Sequence, residues 1–194
     1  MIDGSEAREH LAMVDRIVER TSSRLNVGAE YFVVWGIASA TMSLMYQLVA
    51  DRLVPTNSVA IAWAAGIAAV LFSIWRGKSV GQQRLTFLER EFLTVLKVAM
   101  LVTFVVFVIE LFGANIFGPI GPASIWSFAA SIVVLYIAMH GNRRALIGGI
   151  VLVASLAVAN LYPSFAGYAL SAGMLLGYAG FGIVELLAAG RNAG

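Results

Sequence analysis

Six stretches of largely apolar residues, at 31–50, 58–75, 92–113, 122–140, 145–162 and 165–189, leave this chain little choice of fold. A helix of about 20 residues spans the roughly 30 Å of hydrocarbon in a bilayer, and backbone groups in lipid must pair within their own segment. The runs therefore predict an all-α, polytopic membrane protein with six transmembrane helices. Composition agrees, because 60% of the 194 residues are hydrophobic and 12% are charged, too little polar material to coat a water-soluble domain.

The same balance excludes a cytosolic globular enzyme and a disordered chain. A nucleic-acid binder is excluded too, since the net charge is only +2 and the thirteen Lys and Arg are scattered between apolar runs. With no cysteine, disulfides, thiolate metal sites and Cys nucleophiles are all absent. Residues 3–24 are charged throughout and hold no apolar h-region, so the first run reads as a retained span rather than a signal peptide.

Basic residues set the orientation. Arg8, Arg16, Arg20, Arg24, Arg76, Lys78, Arg84, Arg90, Lys97, Arg143, Arg144 and Arg191 fall on one side of the spans, and Arg52 alone on the other. Three hairpins with both termini in the cytoplasm follow, and the expected location is a bacterial inner membrane. Trp35 and Trp75 are expected near inner helix ends and Trp63 and Trp126 near outer ends, as interfacial anchors. Each outer connection holds proline: Pro55, Pro119 with Pro122, and Pro163. An internal echo aligns 70–78 with 134–142, each closing an even-numbered helix with a glycine.

Two charged segments lie outside the spans. In residues 1–28, Asp3 and Glu6 have capping-box spacing, and Ala7, Leu11, Val14, Val18 and Leu25 recur at helical intervals. Its polar side carries Arg16, Arg20 and Arg24, a like-charge row that costs helix stability unless something anionic lies beside it. This cytoplasmic amphipathic helix is expected to bind anionic inner-leaflet lipid or a protein partner; the alternative is a passive cover over the bundle. In the second segment, the spacing of Leu85, Leu88 and Phe92 extends the third helix back to Gln82, with Glu89, Arg90 and Glu91 at the membrane boundary.

Chemistry-bearing residues within the spans are few. Glu110 and Glu185 lie toward opposite faces and cannot act as an acid–base pair. His10 and His140 have no partner at metal-ligand spacing, no serine sits in a nucleophile elbow, and no glycine loop could cradle phosphate. No catalytic, cofactor or metal site is expected. Ser39, Thr41 and Ser43 can bond their own helix, whereas the Gln47 amide needs a partner, and with Asn115 and Asn160 it could form a small polar site at the outer end. Small residues form rows at Gly36 and Ala40, at Ala62, Gly66, Ala69 and Ser73, and at Ala169, Gly173, Gly177 and Gly180. Such rows predict close helix packing inside the bundle or in a homo-oligomer.

The basic amphipathic helix followed by Tyr31-Phe-Val-Val-Trp-Gly36 resembles a loose group of bacterial six-helix membrane proteins of unknown function, over roughly the first 40 residues. Size and span count are also similar to the substrate-binding membrane components of energy-coupling vitamin transporters. Those bind ligand through polar outer loops, and this chain has few polar residues there. Two functions are expected from this pattern: a non-enzymatic accessory, scaffold or regulatory subunit working through its cytoplasmic helix, or a carrier or channel for a small or lipophilic solute lined by Gln47, Glu110, Asn115, Asn160 and Glu185.

Overall fold

A computed structural model describes residues 28–80, 87–109 and 121–191. The amphipathic segment with Arg16, Arg20 and Arg24, together with Gln82, Glu110 and Asn115, lies outside the described residues. Helices α1 (Ala29–Ala50), α2 (Val59–Val80), α3 (Phe87–Ile109), α4 (Gly121–Met139) and α5 (Arg143–Leu161) are followed by one long run. That run is built of α6 (Ala166–Gly173), a π-helical segment (Met174–Ala179) and α7 (Gly180–Arg191). No strand occurs among the described residues. The helices α1 and α2, α5 and the last run are long and apolar enough to cross a membrane, whereas α3 and α4 carry shorter apolar stretches, Leu93–Val106 and Ala123–Met139.

Local sequence explains the turns. Pro55, in extended conformation, leads into a 3-10 turn at Thr56–Ser58, and Pro163 opens a second at Pro163–Phe165, where its missing N–H costs nothing. Gly141 closes α4 with φ of 89°, a conformation open to glycine. The internal echo ends here, because its counterpart Gly77 stands inside α2, which continues to Val80.

The last run lies antiparallel to both α1 and α5, and glycines set the separation. A Cβ on Gly36 would lie 2.6 Å from the Ala179 nitrogen, and one on Gly182 would lie 2.7 Å from the Ala29 oxygen. On the other side, a Cβ on Gly148 would meet the Gly177 oxygen at 2.6 Å, and Gly173 abuts the Ser155 side chain. Gly36, Gly173 and Gly177 thus make the close contacts that their rows predict. Gly66 does not: a Cβ there would meet only Met42 Sδ, at an ordinary 3.5 Å.

Around these contacts sit Phe32, Val134, Leu152, Met174, Tyr178 and Phe181, all buried. Phe32 meets Tyr178 at a ring separation of 4.9 Å and Phe181 edge-on at 5.1 Å, a geometry that adds about 0.5–1.5 kcal/mol to simple burial. Helix α2 packs chiefly on α1, through Ala62 and Ala69, and α3 chiefly on α4.

The tryptophans correct one expectation. Trp35 and Trp126, expected at opposite ends, stack with centroids 5.8 Å apart and planes 18° apart. Trp35 donates from Nε1 to Ser73 Oγ at 2.9 Å, and the Ser73 hydroxyl donates to the Ala69 oxygen. This indole therefore joins α1, α2 and α4 and is not a free interfacial anchor. Trp63 and Trp75 are exposed.

Gly36→Ala is expected to cost about 1–3 kcal/mol, because backbone cannot move aside as a flexible side chain would. Gly66→Ala should be neutral or stabilising by up to about 1 kcal/mol through helix propensity. Thermal unfolding of both variants in the same detergent checks this contrast, and equal stability would remove the backbone contact at Ala179 as the cause.

Candidate functional site

The polar residues on α1, α5 and the last run gather at the two ends of the bundle. At one end, Asn142 caps α5: its Oδ1 accepts from the backbone nitrogens of Arg144 and Ala145, each at 3.0 Å. Its Nδ2 donates to Glu185 Oε1 at 3.2 Å, and Arg144 Nη1 approaches the same oxygen at 3.5 Å. Glu185 is only 7% exposed, so these donors offset the cost of withdrawing its carboxylate from water. One asparagine thus ties the start of α5 to α7.

Near the same end, Arg76 Nε donates to Glu30 Oε1 and joins α2 to α1. Glu30 lies in the first turn of α1 and Arg76 near the C-terminus of α2, so each charge also faces a favourable helix dipole. His140 is exposed, bonded to the Tyr136 oxygen and edge-on to its ring. Lys97, grouped by sequence with the inner side, lies midway along α3 and is exposed; its flexible stem can carry the ammonium toward either end.

At the other end Gln47 finds the partners its amide requires. Its Oε1 accepts from the Gly167 nitrogen at 2.9 Å, and its Nε2 donates to the Ser164 oxygen and to Asp51 Oδ1. Asp51 Oδ2 accepts from the Tyr168 hydroxyl at 2.8 Å. Gly167 is required because a Cβ there would run into Gln47 and the Ser43 oxygen. The cluster clamps the Pro163 turn onto the end of α1.

The outer polar site expected from Gln47, Asn115 and Asn160 is therefore not assembled among the described residues. Asn160 is exposed and donates to the Leu156 oxygen of its own helix, and no hydrogen bond joins it to Gln47. Thr41 bonds its own helix at the Ile37 oxygen, as expected. Sequence reading missed Asn142, Asp51 and Tyr168. An Asn just before an apolar run is an N-cap signal and could have found the first; the other two show only in the tertiary fold. Among the described residues no group of three or more His, Asp or Glu could hold a metal ion.

Comparison with protein-family models, curated proteins and solved structures finds no match to this chain.

Asn142→Ala removes a cap and a carboxylate donor together, and is expected to lower stability by about 1–2 kcal/mol. Arg144→Ala should cost under about 1 kcal/mol, since that side chain is half exposed and its contact long. Denaturation of the two variants separates the cap from the ion pair; a larger loss for Arg144→Ala would give the ion pair the leading role.

Proposed function

We propose that the chain is a multi-pass protein of the bacterial inner membrane, with six spanning helices, both termini cytoplasmic and an amphipathic helix ahead of the bundle. Large apolar side chains exposed on α2, α3, α5 and the last run support a lipid-facing exterior: Leu71, Trp75, Leu101, Ile147 and Leu176 are each more than 60% exposed. Apolar patches of that extent are foreign to soluble monomers. The twelve-to-one division of basic residues supports the orientation.

Within that frame the protein acts as a non-enzymatic accessory, scaffold or regulatory subunit. Its cytoplasmic helix engages anionic lipid or an acidic protein partner through Arg16, Arg20 and Arg24. The observation that carries this reading is the employment of the polar groups: Gln47, Asn142 and Glu185 hold helix ends together around an apolar centre. A carrier would need such groups turned toward a solute along a continuous path. Small-residue contacts inside the bundle suit a rigid support for the same reason.

Because the chain has no cysteine, topology is open to direct labelling. An impermeant thiol reagent should modify Thr56→Cys in intact spheroplasts and His140→Cys only after permeabilisation. The reverse pattern would invert the orientation.

The cytoplasmic helix is tested by replacing Arg16, Arg20 and Arg24 with Gln in the full-length protein. Each arginine near an anionic surface contributes on the order of 1 kcal/mol, so the triple variant should insert normally yet bind its partner or anionic lipid about 100-fold more weakly at low salt. Partner recovery from native membranes and binding to anionic nanodiscs measure this. Unchanged values in both would make the segment a passive cover.

A further inference from the structure

Among the described residues, Lys97 is the charge farthest from a helix end. Glu30, Arg76, Arg143, Arg144 and Glu185 all stand within two turns of the ends of their helices. Lys97 is exposed and stands about 15 Å along the axis from the nearer end of α3. Its four-carbon stem covers only part of that distance.

The chain offers this ammonium no carboxylate nearby. Glu30 takes Arg76, Asp51 takes Gln47 and Tyr168, and Glu185 takes Asn142 and Arg144. Along α3 the positions one turn from Lys97, at 93, 94, 100 and 101, hold Leu, Thr, Met and Leu, so no acid has the i, i+3 or i, i+4 spacing that lets helical side chains pair. Glu91 stands about 9 Å back along the axis and off that face.

Val98, Leu101, Phe104 and Val105 are exposed and share the face of Lys97 at helical intervals. The other side of α3, with Leu93, Leu96 and Ala99, packs inward, chiefly on α4. Apolar side chains facing acyl chains need no cover, but a charge at such depth pairs with another charge or faces protein. The lysine therefore sets the chemistry of what covers this face: a helix with a carboxylate at the same depth. A second copy, related by a two-fold axis along the membrane normal, would set Lys97 against Lys97 at equal depth, a like-charge contact.

We propose that the outward face of α3, at Lys97, Val98, Leu101, Phe104 and Val105, docks a transmembrane helix of another protein that places an Asp or Glu carboxylate against the Lys97 ammonium. The inference rests on the reading of the chain as a membrane accessory subunit and gives its partner a contact within the bilayer, apart from the cytoplasmic helix.

The test uses the full-length protein in its native membranes, with the photocrosslinker p-benzoylphenylalanine in place of Leu101 or, as a control on another exposed face, of Ile150. Irradiation should join position 101, and not position 150, to a protein of different sequence. Lys97→Arg should keep the adduct, Lys97→Met should reduce it about tenfold through loss of one polar pair in the membrane, and Lys97→Glu should abolish it. Sequencing of the adduct identifies the partner helix, and exchange of its carboxylate residue for Lys should restore the adduct with Lys97→Glu. In detergent without partner, Lys97→Met should unfold at the same temperature as wild type or higher, so that a lost adduct is not a lost fold.

No adduct at position 101, an adduct indifferent to Lys97→Met, an adduct with lipid alone or with a second copy, or charge exchange that restores nothing would each overturn the proposal. A lowered unfolding temperature for Lys97→Met also overturns it, by showing a partner for Lys97 within the chain. A partner still recovered through Arg16, Arg20 and Arg24 while position 101 gives no adduct defeats this inference and leaves the accessory-subunit reading standing. Release of the wild-type chain from membranes by alkaline carbonate would instead defeat the membrane reading itself.

Discussion

The bundle depends on backbone-to-backbone contact at the middle of the last helical run. Gly36 of α1 meets Ala179 on one side, and Gly148 of α5 meets Gly177 on the other, so three helices pass within one short zone at backbone contact. In water, burial of large apolar groups would dominate such a core. In the bilayer proposed for this chain that driving force between helices is nearly absent, because an apolar side chain is as well solvated by acyl chains as by another helix. What remains is dispersion summed over closely approaching atoms, and glycine permits the closest approach.

The π-helical segment occupies the same zone. Its wider turn, marked by the Gly180 nitrogen bonding back to the Leu175 oxygen, spends backbone regularity to place Tyr178 and Met174 beside Phe32 while Gly177 faces α5. A regular helix over 166–191 would rotate the residues after Met174 relative to those before it. The contacts of Gly167 and Gly173 before the segment and those of Gly177 and Ala179 within it could not then all face their partners.

This division explains what was legible in the sequence. The apolar runs give helices in their expected places, and the rows at Gly36, Gly173 and Gly177 give real close contacts, because both signals are periodic within one segment. Gly66 stood in an equally regular row, yet its neighbour across α1 is the pliable Met42, so the row itself does not reveal what lies opposite. Gly148 and Gly149 were overlooked, although two glycines inside an apolar helix, each costing about 1 kcal/mol of propensity, call for a packing reason. Gln47 was readable as a group needing a partner, but Gly167 and Ser164 lie more than a hundred residues away, and no local pattern names them. The stacking of Trp35 on Trp126 was hidden for a related reason. Aromatic girdle rules assign depth by distance along a helix, and they fail where a helix tilts or an indole is taken up by its neighbours.

Polar bonds complete what glycine contacts begin, and they do so selectively. The last run is fixed to α1 by Gln47 at one end and to α5 by Asn142 at the other, so the three helices that share the glycine zone are also tied at their ends. Helix α2 has no such glycine contact with α1; Ala62, Ala69, the Trp35–Ser73 bond and the Glu30–Arg76 pair hold it instead. Helix α3 rests chiefly on α4, and both line a small hollow shared with Trp35 of α1 and Tyr178 of the π-helical segment. The rigid part of the molecule is therefore α1, α5 and the last run. Movement of α3 against that frame would change this hollow first, because Leu96 and Ala99 form one of its walls while Tyr178 stays fixed in the core.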